Sequence, residues 1–356
     1  MKAALISLGS KSSKMLLRAL KKYFSSVDDI DVREIEVSLG GDTPEVLYKG
    51  KPLEKYECIY AKGSFRYGQL LRSITVALCK TTYMPISAAA FTVGHDKLLT
   101  QLDIQQHKIP MPKTYLSATT EAAKNILKKI NYPIIMKFPS GTGGKGVMYA
   151  ESFAAASSML DALTALRQPF IIQEYVETGG VDMRAIVVGD KVVASMKRKA
   201  DMGEKRSNIH AGGTGEAYTL DFHTKKIAVD AAKAIGADIC AVDMLDTIKG
   251  PVVIEVNLSP GLQGITEATK IDVADKIAKY LYERTKESYE KGKKKGAKEI
   301  LSEIGIEEEK EIITNVDFRG GRMLLPEIIT KITNFDDKKE LSIKAKKGEL
   351  VIKNLI

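Results

Sequence analysis

Asp243, Glu255 and Asn257 are the residues whose types and spacing most directly suggest chemistry in this 356-residue chain. Asp243 falls on a predicted strand over 239–246. Glu255 and Asn257 fall at the end of the next strand, over 252–256, with Lys249-Gly250 as the turn of the hairpin between them. Two carboxylates and an amide oxygen thus project from adjacent strands in apolar surroundings, where acidic groups are costly unless paired or bound to a cation. Hard oxygen donors of this kind suit Mg²⁺, which keeps part of its shell for water and substrate phosphates. Taken alone, the same residues would also fit two surface carboxylates on an edge hairpin.

A second candidate is the glycine-rich stretch 140–146, Ser-Gly-Thr-Gly-Gly-Lys-Gly, between predicted strands 134–138 and 147–150. Glycines such as Gly144 and Gly146 let backbone N–H groups approach anionic oxygens. The stretch lacks the terminal GK[ST] of a P-loop, and it joins two strands rather than opening a helix. An ordinary hairpin loop remains the alternative. Lys137 precedes it at the end of an apolar strand, where a cation could face a phosphate or simply snorkel to water. Glu174 and Tyr175 end the strand over 170–175, a position suited to contacts with an adenine edge. Arg198, in the run Lys197-Arg198-Lys199, and Arg206-Ser207-Asn208 supply cations and donors that could stabilise charge on a transferring phosphoryl group. A solvated basic loop would look similar. His95, His107, His210 and His223 lie apart in the sequence and suggest no metal cluster.

The elements that must position these residues follow from hydrophobic periodicity. An apolar strand over 3–8, a helix over 12–23, alternation over 32–37, a further strand over 56–61 and a helix over 70–79 predict an α/β unit at 1–92 with a mainly parallel sheet. A second unit, 93–180, opens with a helix over 96–107 that Ile109-Pro110-Met111-Pro112 stops. A third, 181–285, holds two hairpins, a helix over 224–235 and a closing helix over 271–283. The lysines of 286–298 read as a linker, and 299–356 as a β-rich appendage of short strands and turns.

The formal charge of +9 is partly local to that lysine-rich stretch, so charge alone does not argue for a nucleic-acid binder. The first apolar run is too short for a membrane span or a signal peptide. Three widely spaced cysteines offer neither a disulfide framework nor a CxxC pair. A cytoplasmic protein that does not engage membranes is the expectation.

Taken in order, Lys137, the glycine loop, Gln173-Glu174-Tyr175, Asp182-Met183-Arg184, Arg206-Ser207-Asn208 with His210 and Gly212-Gly213, Asp243, and Glu255-Val256-Asn257-Leu258-Ser259-Pro260-Gly261 resemble the RimK-type ATP-grasp ligases, the alpha-L-glutamate ligase family. The likeness covers about residues 1–285. It implies an α/β ATP-grasp fold behind an N-terminal Rossmann-like α/β domain. It implies that Lys97 and Lys137 touch ATP phosphates, that Glu174 and Tyr175 lie at the adenine, and that Asp182 meets the ribose. Asp243, Glu255 and Asn257 would hold two Mg²⁺ ions, with Mn²⁺ as a substitute. Arg198 and the Arg206–Asn208 segment would face the γ-phosphate and an acyl phosphate. The phosphate loop departs from the pattern: Gly143 and Lys145 stand where the glutamate ligases usually carry Gln and an apolar residue, which bears on the acceptor.

The expectation is therefore an ATP-dependent ligase that joins an amino acid, glutamate first among them, to an acceptor carboxylate such as a protein C-terminus or a glutamyl coenzyme. A carrier-bound or small-molecule biosynthetic intermediate is the alternative acceptor. A kinase and a nucleic-acid-associated protein are the rival classes. The family's habit points to a homodimer or homotetramer.

Overall fold

The computed structural model describes residues 1–41, 43–139, 146–199, 214–303, 315–333, 335–336 and 340–354. The chain divides into two compact units, Met1–Lys294 and Lys295–Ile356.

The first unit begins with β1 (Lys2–Ser7), whose apolar residues are all buried, and α1 (Lys11–Leu20), capped by Ser10 accepting from Ser13 N–H. Then come β2 (Ser26–Asp31), β3 (Ile35–Ser38), β4 (Glu45–Tyr48), β5 (Lys51–Pro52) and β6 (Cys58–Ala61). A parallel sheet of order β2-β1-β6 forms, and β3-β4-β5 make a small antiparallel sheet. The strand predicted at 32–37 is thereby corrected: Val32–Glu34 is a 3₁₀ turn and only Ile35–Ser38 is strand. The parallel strand is Ser26–Asp31, an edge strand that buries only Ile30 and so shows no hydrophobic signature. Helices α2 (Gly68–Leu78), α3 (Ala88–Val93) and α4 (Lys97–Gln106) follow. Asp96 caps α4, accepting from Leu98 N–H at 2.8 Å and Leu99 N–H at 3.0 Å, which fixes Lys97 at the first helical position.

Next in the chain are β7 (Thr114–Tyr115), α5 (Thr120–Leu127), β8 (Ile134–Lys137), β9 (Val147–Ala150), α6 (Phe153–Ala165) and β10 (Ile171–Glu174). The strands form an antiparallel sheet of order β7-β10-β8-β9. Leu127, Ile134, Met136, Leu160 and Ile172 give it a core of its own. The chain continues with β11 (Val181–Val188), β12 (Lys191–Lys199), β13 (Thr214–Ala217), α7 (Phe222–Ile235), β14 (Ile239–Thr247), β15 (Gly250–Asn257), α8 (Gln263–Thr269) and α9 (Val273–Glu303). Strand order is β13-β12-β11-β14-β15, all antiparallel. A single core joins this sheet to the parallel one, with Leu5, Leu16, Ile186, Val242 and Ile277 among its members. Each such side chain contributes about 1.5–3 kcal/mol on burial. The lysine-rich stretch read as a linker lies inside α9. Val273, Ile277, Ala278 and Leu281 anchor the helix by their spacing, and Lys and Glu downstream are good helix formers.

In the second unit β16 (Asp317–Arg319) pairs with β17 (Arg322–Leu324), and β18 (Leu341–Lys346) with β19 (Glu349–Asn354). Between the hairpins lies α10 (Glu327–Thr333), so the tail is not strands alone. None of its described residues from 315 onward is buried. Among the described residues no helix is long and apolar enough to cross a membrane.

Candidate active site

A cavity of about 640 Å³ opens in the first unit. Its walls come from the β8–β10 sheet, from one face of the β11–β15 sheet, and from the residues that follow β1 and β6. Nine of the residues given ATP- or metal-binding roles from the sequence line it: Lys97, Lys137, Glu174, Tyr175, Asp182, Arg198, Asp243, Glu255 and Asn257. Gly144, Arg206, Ser207 and Asn208 lie outside the described residues. Gly146 is not among the lining residues. It has φ +77° and would drive a Cβ into the Phe138 ring, while its carbonyl accepts from Phe138 N–H at 3.1 Å. It therefore closes the β8–β9 hairpin at a position that only glycine fits.

Strand register assembles the charges. Asp182 lies opposite Arg198, Arg184 opposite Asp243, and Asp243 opposite Glu255, with Asn257 opposite Ala241 on the same strand pair. Cross-strand neighbours on one face approach closely enough to bond. Arg184 donates to both Asp243 oxygens at 2.7 Å. Arg198 donates to both Asp182 oxygens at 2.6 Å and stands 3.1 Å from Asp243 Oδ2. Asn257 Nδ2 donates to the same oxygen at 3.3 Å. Burial would raise the Asp243 carboxyl, but Arg184 and Arg198 outweigh it and hold the group down at about 2. Burial works against the Arg198 charge too, yet Asp243 and Asp182 raise its pKa further, so it is a permanent cation at 3% exposure.

On the facing sheet, Lys137 Nζ donates to Gln173 Oε1 at 2.6 Å, and Gln173 Nε2 donates to Thr114 Oγ1 at 2.9 Å. Burial pushes Lys137 down to about 8, opposed by Glu255 and aided by Lys97. Lys97 Nζ, at the start of α4, lies 4.0 Å from Glu255 Oε1 on β15. Tyr115 OH donates to Glu174 Oε1 at 3.1 Å, and the Tyr149 and Tyr175 rings meet edge to face at 5.2 Å. The Arg184 and Gln173 partnerships escape sequence reasoning. Arg184 does share a strand face with Asp182, two residues away, and that spacing is the one local signal for it.

Two carboxylates and an amide oxygen at neighbouring strand positions are a donor set suited to Mg²⁺, which leaves sites for phosphate oxygens and water. Among the described residues no three His, Cys, Asp or Glu side chains form a closed cage. An open, oxygen-only set beside the half-buried Lys97 and Lys137 fits an ion shared with a nucleotide.

This architecture, an antiparallel sheet facing a second sheet across a charged cavity, is the ATP-grasp fold, and its class is that of ADP-forming carboxylate–amine ligases. Residues 94–281 match the profile of the RimK-like ATP-grasp domain, and the chain belongs to that family. A protein of Marinomonas sp. (strain MWYL1) named "Probable alpha-L-glutamate ligase" is 35% identical over 305 residues, covering 83% of this chain and 100% of that protein. One of the same name from Methanococcoides burtonii is 35% identical over 304 residues, with 83% and 100% covered. The solved structure of the ATP-grasp ligase PsnB, complexed with minimal precursor, Mg and ADP, superposes with TM-score 0.63 at 17% identity, covering 80% of this chain and 98% of that one. A RimK domain ATP-grasp protein from Sphaerobacter thermophilus gives 0.62 at 20% identity, covering 79% and 99%. At such identities the likeness is one of fold.

Proposed function

We propose that this protein joins an amino acid, glutamate first among the candidates, to the carboxylate of an acceptor such as a protein C-terminus or a glutamyl coenzyme. An acceptor oxygen attacks the γ-phosphorus of ATP, the bond to the β-phosphate oxygen breaks, and ADP leaves an acyl phosphate behind. The amine then attacks the acyl carbon, and phosphate departs with the carbon–oxygen bond pair. Supporting this reading above all is the ladder Asp182–Arg198–Asp243–Arg184, which sets fixed, desolvated charge into the wall that also carries Glu255 and Asn257. Preorganised charge of this kind stabilises a transferring phosphoryl group without reorganisation.

In this reading Lys97 and Lys137 bind phosphate, Glu174 and Tyr175 hold the adenine, and Asp182 serves the ribose side while orienting Arg198. Gly144 and Gly146 cover the phosphates. Arg198, Arg206, Ser207 and Asn208 face the γ-phosphate. Asp243, Glu255 and Asn257 would hold two Mg²⁺ ions, or Mn²⁺ in their place, which neutralise charge on the phosphates when bound. The enzyme works as a homo-oligomer in the cytoplasm.

The test is ADP release with ATP, Mg²⁺, L-glutamate and candidate acceptors, run with hydroxylamine in place of the amino acid. An acyl phosphate gives a hydroxamate. Acceptor-dependent ADP release without any hydroxamate would instead mark a kinase acting on a hydroxyl.

A further inference from the structure

Most cations around the cavity have an acceptor: Lys137 has Gln173, Lys97 approaches Glu255, Arg184 has Asp243, and Arg198 has Asp182 and Asp243. Lys62 does not. It is 5% exposed and lines the cavity, and among the described residues no side chain pairs with its Nζ. Its backbone N–H is bound to Ile6 O at 2.9 Å, so the position is structural, but the charge is unanswered. A buried ammonium group is costly without a counter-ion.

Its surroundings point the same way. Ile6 pairs with Ala61 in the parallel sheet, which sets Lys62 at the carboxyl edge beside the turn from β1 into α1. That edge is where open α/β sheets bind ligands. Ser10, Lys11, Ser12 and Ser13, the cap and first turn of the ten-residue helix α1, line the same wall and present the positive end of its dipole. His95 lines it too, and its buried Nε2 has no hydrogen-bond partner. Among the described residues from 1 to 97, no acidic one lines the cavity. The wall is also tied to the β15 end: Ser259 Oγ accepts from Gly63 N–H at 2.9 Å and donates to Gly63 O at 2.8 Å, and Leu262 N–H donates to Ser12 Oγ at 2.9 Å. An anion held here would sit at a set distance from Glu255 and Asn257.

We propose that Lys62, the amino end of α1 and His95 form a carboxylate-recognition subsite that holds a non-reacting carboxylate of a substrate. This rests on the ligase reading, in which both substrates retain carboxylates that do not react: those of the incoming amino acid, or a second one on an acidic acceptor. A carboxylate there supplies the counter-charge that Lys62 lacks, which is why burial alone lowers the lysine to about 8 in the free protein.

The test uses the full chain with ADP and Mg²⁺, titrated calorimetrically with two probes. L-Glutamate represents the amino acid, and N-acetyl-L-glutamyl-L-glutamate the acceptor. Each is compared with its neutral carboxamide counterpart. Wild type should prefer at least one carboxylate probe over its amide by about tenfold to a hundredfold, the size expected of one charge-assisted bond. Lys62→Met and Lys62→Gln should erase that preference and leave ADP affinity unchanged. Loss for L-glutamate assigns the subsite to the amino acid, and loss for the dipeptide assigns it to the acceptor. Wild type that binds neither probe or shows no preference, or a preference that survives in both variants, would overturn the inference. The wild-type comparison needs no variant, so it stands even if a substitution impairs folding. Failure of wild type to bind ADP with Mg²⁺ or to form a hydroxamate would sink the ligase reading itself, a separate outcome.

Discussion

In Met1–Lys294, Leu5, Ile6, Ile186, Val242 and Ile277 are fully enclosed, and the charged side chains Lys62, Asp182, Arg198 and Asp243 are buried along the cavity wall. In Lys295–Ile356 none of the described apolar side chains is buried, with Phe318 70% exposed, Ile343 62% and Ile328 54%. The ion pairs among its described residues, Lys331–Glu327 at 2.7 Å and Lys346–Glu349 at 2.6 Å, are likewise exposed. Pairs of that kind contribute little, and two-stranded hairpins without a core are marginal. Charge can be tuned for chemistry only where a core excludes water, and among the described residues that condition is met in the first unit.

The largest effect should come from Glu255→Ala or Asn257→Ala, which remove proposed Mg²⁺ donors. Magnesium-dependent ADP formation should fall by about 10³ or more with the thermal midpoint nearly unchanged. Turnover close to wild type at saturating Mg²⁺ would remove the metal assignment.

Next, Arg198→Met removes the bidentate partner of Asp182 and one of the two arginines held against Asp243, and should cost about 3–5 kcal/mol in urea denaturation. Lys346→Ala, in the second unit, should cost less than about 0.5 kcal/mol. Equal costs would erase the contrast between the two regions.

A smaller, opposite effect is expected at Lys62. Its folded pKa is depressed to about 8, so the unfolded chain binds more protons between that pH and its own pKa near 10.5. The penalty is therefore full at pH 7 and fades as pH rises through that window. Lys62→Met should stabilise the protein at pH 7 by on the order of 2 kcal/mol, and the gain should shrink toward pH 10. A gain that does not change with pH would mean that packing, not charge, is responsible.

The smallest effect on chemistry should follow deletion of residues 304–356. ADP formation should stay within about twofold, because the described side chains that line the cavity precede that segment. Light scattering should show a lower oligomeric state, since exposed apolar positions in the tail are suited to self-association. Abolished turnover would make the tail part of the catalytic unit.

Local patterns were enough to pick out many of the residues that line the cavity. The β14–β15 hairpin was legible from its apolar alternation and its Lys249-Gly250 turn, and Asp243, Glu255 and Asn257 with it, because strand period and turn chemistry are properties of neighbouring residues. Asp96 before an apolar run likewise marked the start of α4. Two elements misled: Ser26–Asp31 is a strand without an apolar signature, and the lysine-rich stretch is helix because an anchored helix propagates through good formers.

What tertiary structure alone decided is which charges meet. Arg184 and Asp243 are 59 residues apart, and Gly63 and Ser259 are 196 apart. Their encounters depend on strand register and on a core shared by two sheets, neither of which is written in any local window. The same enclosure sets Asp243 low and lowers Lys62, which has no side-chain partner among the described residues, since desolvation is a property of the packed volume and not of the residue. Residue types and turns thus came from the sequence, and the electrostatics of the cavity from the fold.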